Sequence, residues 1–263
     1  MTKKIIAGGC SFTYGSELSD ASHGKMSVKS WAPLLINSNN HQYFCTARPG
    51  YGNSSIARRV FSAVASMEEV GGVVVMWSFL SRYDWAMPRN KALEDTRWAT
   101  ISPWDTNTGD EEAYRALQGS EAQQEEWKIN KELFRDTGVR PFAEAIYKHA
   151  ANQYHETYLS WKSIIWLQNI LEKRKIPYMF TLADNTLFYN EFKQHKDQDA
   201  FMTALYNEID FTKWFSFGDR MMGFNQWALM EEYERGTTHP LDEAHQDAVQ
   251  LMLPTFNKLI GHK

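Results

Sequence analysis

The chain has 263 residues with 43% hydrophobic and 23% charged side chains, a globular composition that excludes disordered, collagenous and coiled-coil classes. A chain this long buries about three quarters of its unfolded surface and needs no covalent staples, and its two cysteines, Cys10 and Cys45, are too few for a disulfide framework or a structural zinc site. The formal charge of -4, from 28 basic and 32 acidic residues without a dense basic run, argues against nucleic acid as a partner.

No stretch approaches the ~20 apolar residues of a membrane span, and the start, Met1 to Ala7, lacks a secretory apolar region ahead of a cleavage site. A cytoplasmic protein with no membrane partner is expected.

In chain order, Lys3 to Ala7 forms a first short strand that breaks into Gly8-Gly9-Cys10-Ser11. Tyr43 to Thr46 is a weaker second strand. Ile56, Val60, Ala63, Val64 and Met67 recur at helical spacing behind the capping candidates Asn53 and Ser54. Val73 to Trp77 is apolar without alternation, as a strand buried on both faces reads. The segment from Asp84 to Arg140 departs from this order and is expected to be an insertion, placed as a lid or wall over the C-terminal edge of the sheet. Between Asp110 and Asp136 it carries eight acidic and four basic residues, which predicts a solvated helix pair. One long helix is expected from Phe142 to Lys173, with Tyr154, Tyr158, Trp161, Ile165 and Ile170 on its apolar face. A strand over Tyr178 to Leu182 and a last helix from Leu241 to Ile260 follow. Alternating strands and helices indicate an α/β fold with a parallel sheet, in one domain over residues 1–263 with the insertion at about 84–140.

Three segments can carry chemistry. Gly8-Gly9-Cys10-Ser11 follows the first strand, where a tight turn lifts a hydroxyl to the C-terminal sheet edge and a helix start offers free N–H groups. Pro49-Gly50-Tyr51-Gly52-Asn53-Ser54 follows the second strand, and its glycines let backbone approach a ligand closely. No Gly-Lys-Ser/Thr follows, so a phosphate loop is excluded. Thr238-His239-Pro240 precedes the last helix and leaves His239 in a loop accessible to a substrate. His239, Asp242 and His245 do not converge on a metal, because helical positions six apart point about 240° apart. No metal or other cofactor is expected.

Read singly, each segment is also an ordinary turn. Together, Gly8-Gly9-Cys10-Ser11-Phe12-Thr13, Gly52-Asn53-Ser54 and Thr238-His239-Pro240 resemble the SGNH (GDSL-like) hydrolases, in the Gly-Cys-Ser-Phe-Thr form met in phage and bacterial proteins. The resemblance implies a three-layer α/β/α sandwich of flavodoxin-like character. It implies Ser11 as nucleophile, His239 as base, and the N–H groups of Ser11 and Gly52 as oxyanion donors. The implied reaction is hydrolysis of a small-molecule or glycan ester, with acetylated carbohydrate as one substrate; a phage protein would act in the host cytoplasm or the virion.

The chain departs from the family pattern in two blocks. The family's Gly-x-Asn-Asp after the third strand is here Met76-Trp77-Ser78-Phe79-Leu80-Ser81-Arg82, which leaves Ser78 or Arg82 to replace the Asn donor. The family's Asp, two or three residues before the histidine, is replaced by Thr237 and Gly236. Asp242 with His245 offers a rival alignment. The alternative to an esterase is a non-hydrolytic SGNH-like module that binds a glycan or a protein partner through the aromatic residues of the insertion, as a phage structural or accessory component.

Overall fold

The computed structural model describes residues 2–22, 25–87, 98–106, 139–189 and 199–261. Its centre is a four-stranded parallel sheet of β1 (Lys4–Gly8), β2 (Gln42–Cys45), β3 (Gly72–Trp77) and β6 (Tyr178–Leu182), in the order β2-β1-β3-β6. The two runs read as buried strands are neighbours: Ile6 lies opposite Val73 and Ala7 opposite Val74, in parallel. Beyond β6, Phe180 forms a parallel bridge with Trp214, and the Phe215 N–H bonds Phe180 O at 2.8 Å.

The unalternated apolar strands are explained by two separate cores, one on each face. Ile5, Ala7, Val74, Met76 and Met179 point into one core, and Ile6, Val73, Val75, Trp77, Phe180 and Leu182 into the other. Period-2 side-chain direction thus serves both faces, which leaves Thr181 as the buried polar side chain within β1, β3 and β6 among the described residues. The first core is closed by α2 (Trp31–Asn37), α7 (Phe224–Met230) and α8 (Asp242–Leu259). The second is closed by α3 (Asn53–Ser66), α5 (Gln153–Lys173) and α6 (Ala200–Asn207). The result is the three-layer α/β/α sandwich expected. No helix among the described residues is long and apolar enough to cross a membrane.

Two expectations need correction. The single helix over Phe142 to Lys173 is two, α4 (Val139–His149) and α5. Ala150 and Ala151 N–H groups both turn back to Ile146 O at 2.8 Å, and Asn152 starts α5 by accepting the His155 N–H at 2.8 Å, a polar cap that periodicity alone does not reveal. The buried stripe of α5 runs through Trp161, Ile164, Leu167 and Leu171, while Tyr154 is exposed.

The described part of the insertion opens with an antiparallel pair, β4 (Tyr83–Ala86) and β5 (Trp98–Ile101). This hairpin builds a third small core with Ala143 and Ile146 of α4. It is fastened to α3 by Ser55 Oγ on Thr100 Oγ1 at 2.9 Å and by a two-pronged Arg58 to Asp84 pair at 2.6 and 2.9 Å. The acidic stretch from Asp110 to Asp136 lies outside the described residues.

The Asp84 side chain is only 3% exposed, and a buried carboxylate without its cation is costly. Arg58 also covers the Trp98 ring at 4.6 Å. Arg58→Met should therefore release the hairpin from α3, read as at least a tenfold loss of amide exchange protection across Tyr83–Ala86 with the parallel sheet unaffected.

Candidate active site

The site forms where β1 ends. After Gly9 and Cys10 the chain enters α1 (Ser11–Tyr14), a single turn in which the N–H groups of Thr13 and Tyr14 bond Cys10 O at 3.1 and 3.0 Å. Ser11 is its first residue, so its N–H lies outside the helical ladder and meets no partner among the described residues. The Cys10 side chain points the other way, into the first core, and is fully buried.

His239 meets Ser11 across almost the entire chain: Nε2 lies 2.7 Å from Ser11 Oγ, although the two residues are 228 positions apart. Its loop is held tightly. Gly236 N–H bonds His239 O at 2.9 Å and Leu241 N–H bonds Glu234 O at 3.0 Å. The Arg235 guanidinium donates to Thr238 O at 2.6 Å and to Asn225 Oδ1 at 3.0 Å. The imidazole packs on Phe12, with ring centres 4.7 Å apart.

On its other side the ring faces Glu17, a residue that no sequence motif marks. Glu17 Oε1 lies 3.1 Å from His239 Nδ1. Oε2 accepts the backbone N–H groups of Thr238 at 3.0 Å and His239 at 3.2 Å, and the Thr238 hydroxyl bonds Oε1 at 3.0 Å. Burial raises the Glu17 carboxyl, but the bonds from His239 and Thr238 outweigh it and bring the group down to about 2. Glu17 is therefore a carboxylate at any ordinary pH. A carboxylate at Nδ1 favours the ring proton there, which leaves the Nε2 lone pair toward Ser11.

The loop after β2 lies against the Ser11 turn, with the Arg48 N–H on Gly9 O at 3.4 Å. Gly52 precedes α3, and its N–H also meets no partner among the described residues. A side chain there would collide with Arg82, whose Cβ and O both lie 2.7 Å from the position of an added Cβ. Asn53 is fully engaged: its Oδ1 accepts the Ser78 N–H at 2.7 Å, and its Nδ2 donates to Ser78 O at 3.1 Å and Ser160 Oγ at 3.0 Å. With its N–H so occupied, Ser78 has only its hydroxyl to offer, and this accepts from Arg82 Nη1 at 2.9 Å. The same Nη1 bonds Tyr51 O at 3.2 Å, and the guanidinium lies over Phe79, 5.2 Å from the ring centre.

The rival pair is placed elsewhere. Asp242 accepts the Ser19 N–H at 3.0 Å, the Ser19 hydroxyl at 2.5 Å and Lys29 Nζ at 2.8 Å, so it fastens the loop carrying Glu17 to the start of α8. His245 is buried in the first core, where its Nδ1 accepts the Trp31 N–H at 3.1 Å. Among the described residues no group of three or more His, Cys, Asp or Glu could hold a metal ion. Trp77 is buried in the sheet, whereas Trp85, Trp98 and Trp104 are exposed on or beside the hairpin.

No family model and no curated protein matches the sequence. Solved structures similar in fold include a carbohydrate acetylesterase family member from Sinorhizobium meliloti, at 12% identity and a TM-score of 0.46 over 99% of this chain and 100% of that one. A psychrotrophic esterase from Pseudoalteromonas sp. is 10% identical, with a TM-score of 0.45 over 97% of each chain. A GDSL-like lipase from Bacteroides thetaiotaomicron is 12% identical, with a TM-score of 0.42 over 97% of this chain and 88% of that one.

Burial lowers the His245 imidazole to about 3, aided by the nearby charge of His239. The unfolded chain takes up this proton near 6.5 and the folded chain does not, so stability should fall as pH drops from 6.5 toward 3. Glu17 and Asp242, both held near 2 in the fold, contribute stability that is present above their ordinary pKa values and lost below them. Urea midpoints should therefore begin to decline already between pH 6.5 and 4.5. His245→Asn, whose Oδ1 can still accept the Trp31 N–H, should flatten that upper part of the decline and leave the lower part in place.

Proposed function

We propose that this chain is a serine ester hydrolase of SGNH type, with Ser11 as nucleophile and His239 as general base. The observation that carries the reading is the 2.7 Å contact between Ser11 Oγ and His239 Nε2, formed by a serine at the start of a helix on the C-terminal edge of a parallel sheet, where α/β folds place their sites. A hydroxyl is a weak nucleophile until an adjacent base takes its proton. In this reading Ser11 Oγ attacks the acyl carbonyl while its proton passes to Nε2. The protonated imidazole then donates to the departing alkoxide. A water, deprotonated by the same nitrogen, attacks the acyl-serine, and the Ser11 oxygen leaves with its proton restored.

The N–H groups of Ser11 and Gly52 are the oxyanion donors we assign, both without a protein partner among the described residues. Arg82 is the better substitute for the family's Asn donor. One guanidinium nitrogen is anchored on Tyr51 O and Ser78 Oγ, which leaves the others to a ligand, whereas the Ser78 N–H is spent on Asn53. The alcohol side of the substrate is assigned as carbohydrate, supported by the exposed indoles of Trp85 and Trp104, since such rings stack on apolar sugar faces.

A serine-directed fluorophosphonate should label the native protein and Cys10→Ala but not Ser11→Ala. Hydrolysis of short aryl acetates and of acetylated xylo-oligosaccharides should fall by at least about a thousandfold in Ser11→Ala and in His239→Ala. Native protein that neither labels nor exceeds the Ser11→Ala background would show the binding module instead. Arg82→Met should lower kcat by about a hundredfold or more with KM little changed, as expected for a donor that acts on developing negative charge. An unchanged kcat would remove Arg82 from the oxyanion site.

A further inference from the structure

The position two or three residues before His239, where SGNH hydrolases carry their acid, holds no carboxylate in this chain, yet the imidazole is not without one. We propose that Glu17, delivered from the loop behind the nucleophile, replaces that acid as the residue that positions His239. This rests on the reading of Ser11 and His239 as nucleophile and base.

Three independent observations support it. First, Glu17 ties the ring to its loop: Oε1 lies 3.1 Å from Nδ1, the Thr238 hydroxyl sits between them at 3.0 Å from Oε1 and 2.8 Å from Nδ1, and Oε2 accepts the N–H groups of Thr238 and His239. A carboxylate that grips both the imidazole and the backbone beneath it fixes ring orientation as well as tautomer. Second, the space is reserved. A Cβ added at Gly236 would run into the Glu17 carboxylate and lie 3.2 Å from its Cβ and Cδ. The backbone of Gly236 does not adopt a positive φ, so Glu17 itself is the obstacle to a side chain there. The vacated position and the new acid therefore occupy one volume and exclude each other.

Third, Glu17 is held in a backbone conformation it would not choose. Its φ of 68° is left-handed, a conformation that costs a non-glycine residue free energy and persists only where its surroundings enforce it. The enforcement is visible two residues on, where Ser19 is clamped through both N–H and Oγ to Asp242, and Lys29 closes the clamp on Asp242 and Ser19 Oγ. Asp242 is thereby occupied, and no other carboxylate among the described residues contacts His239.

The test uses Glu17→Gln, which keeps the shape and an acceptor for the Thr238 N–H, and an acid transplant, Glu17→Ala with Gly236→Asp. Glu17→Gln should lower kcat by about a thousandfold to ten-thousandfold with KM within about threefold, the pattern of a lost orienting acid. Its proton spectrum should lose the downfield imidazole Nδ1–H resonance of the native protein. Gly236→Asp alone should also impair turnover, because two carboxylates cannot share the space. Combined with Glu17→Ala, the same substitution should raise kcat at least tenfold above Glu17→Ala. A native kcat and an unaltered imidazole resonance in Glu17→Gln, with Ser11→Ala inactive, would overturn the role of Glu17 alone. Activity in Ser11→Ala equal to native would overturn the nucleophile reading and this proposal with it. Failure of the transplant to exceed Glu17→Ala, with both variants folded, would show that the two positions are not interchangeable and count against the replacement.

Discussion

The whole arrangement turns on one imidazole gripped from both sides. His239 presents Nε2 to Ser11 and Nδ1 to Glu17, and these contacts join the first turn after β1 to the loop before the last helix. An imidazole has only two ring nitrogens, and with both engaged the ring cannot flip or change tautomer without losing a partner. The rest of the molecule is organised to supply those partners at fixed positions. Two cores hold the sheet that aims Ser11, and α8 carries both the end of the His239 loop and, through Asp242, the anchor of the Glu17 loop.

The division of labour between the two faces follows from the strands. Because β1, β3 and β6 send alternate side chains into separate cores, each face can carry its own helices without disturbing the C-terminal edge. The face built with α2 and α8 supports the Ser11 and His239 segments, whereas the opposite face, through α3, supports Gly52 and the hairpin. Asn53 ties this second group together: by spending its amide on Ser78 and Ser160, it holds the start of α3, the turn after β3 and helix α5 at one point. The amide thus braces the wall of the site.

The legible and illegible parts of the sequence divide on physical grounds. The strands were visible because burial on both faces removes polar residues from a run such as Val73 to Trp77, a signal that survives in one dimension. Ser11, Gly52 and His239 are singled out by the resemblance of three short blocks taken together, since each block alone reads as an ordinary turn. Glu17 is not, because its role depends on a contact with residues 238 and 239 that no local pattern encodes, and its left-handed backbone has no glycine to advertise it. The sole trace is negative: glycine at 236, read from sequence as a missing acid, is in the fold a space kept clear for one. The break between α4 and α5 was hidden for a similar reason, since apolar spacing continues across Asn152 while the cap interrupts the backbone ladder.

The short chain distance from Ser11 to Glu17 changes what can move independently. Where an acid sits beside its base, any shift of the base loop carries both away from the serine. Here the hydroxyl and the carboxylate belong to one segment hung from the end of β1, and Asp242 fastens the far end of that segment to the start of α8. The imidazole enters between them from a separate loop, which Arg235 and Glu17 hold. Serine and carboxylate are thus the two plates of a lock, and the C-terminal loop supplies the bolt between them.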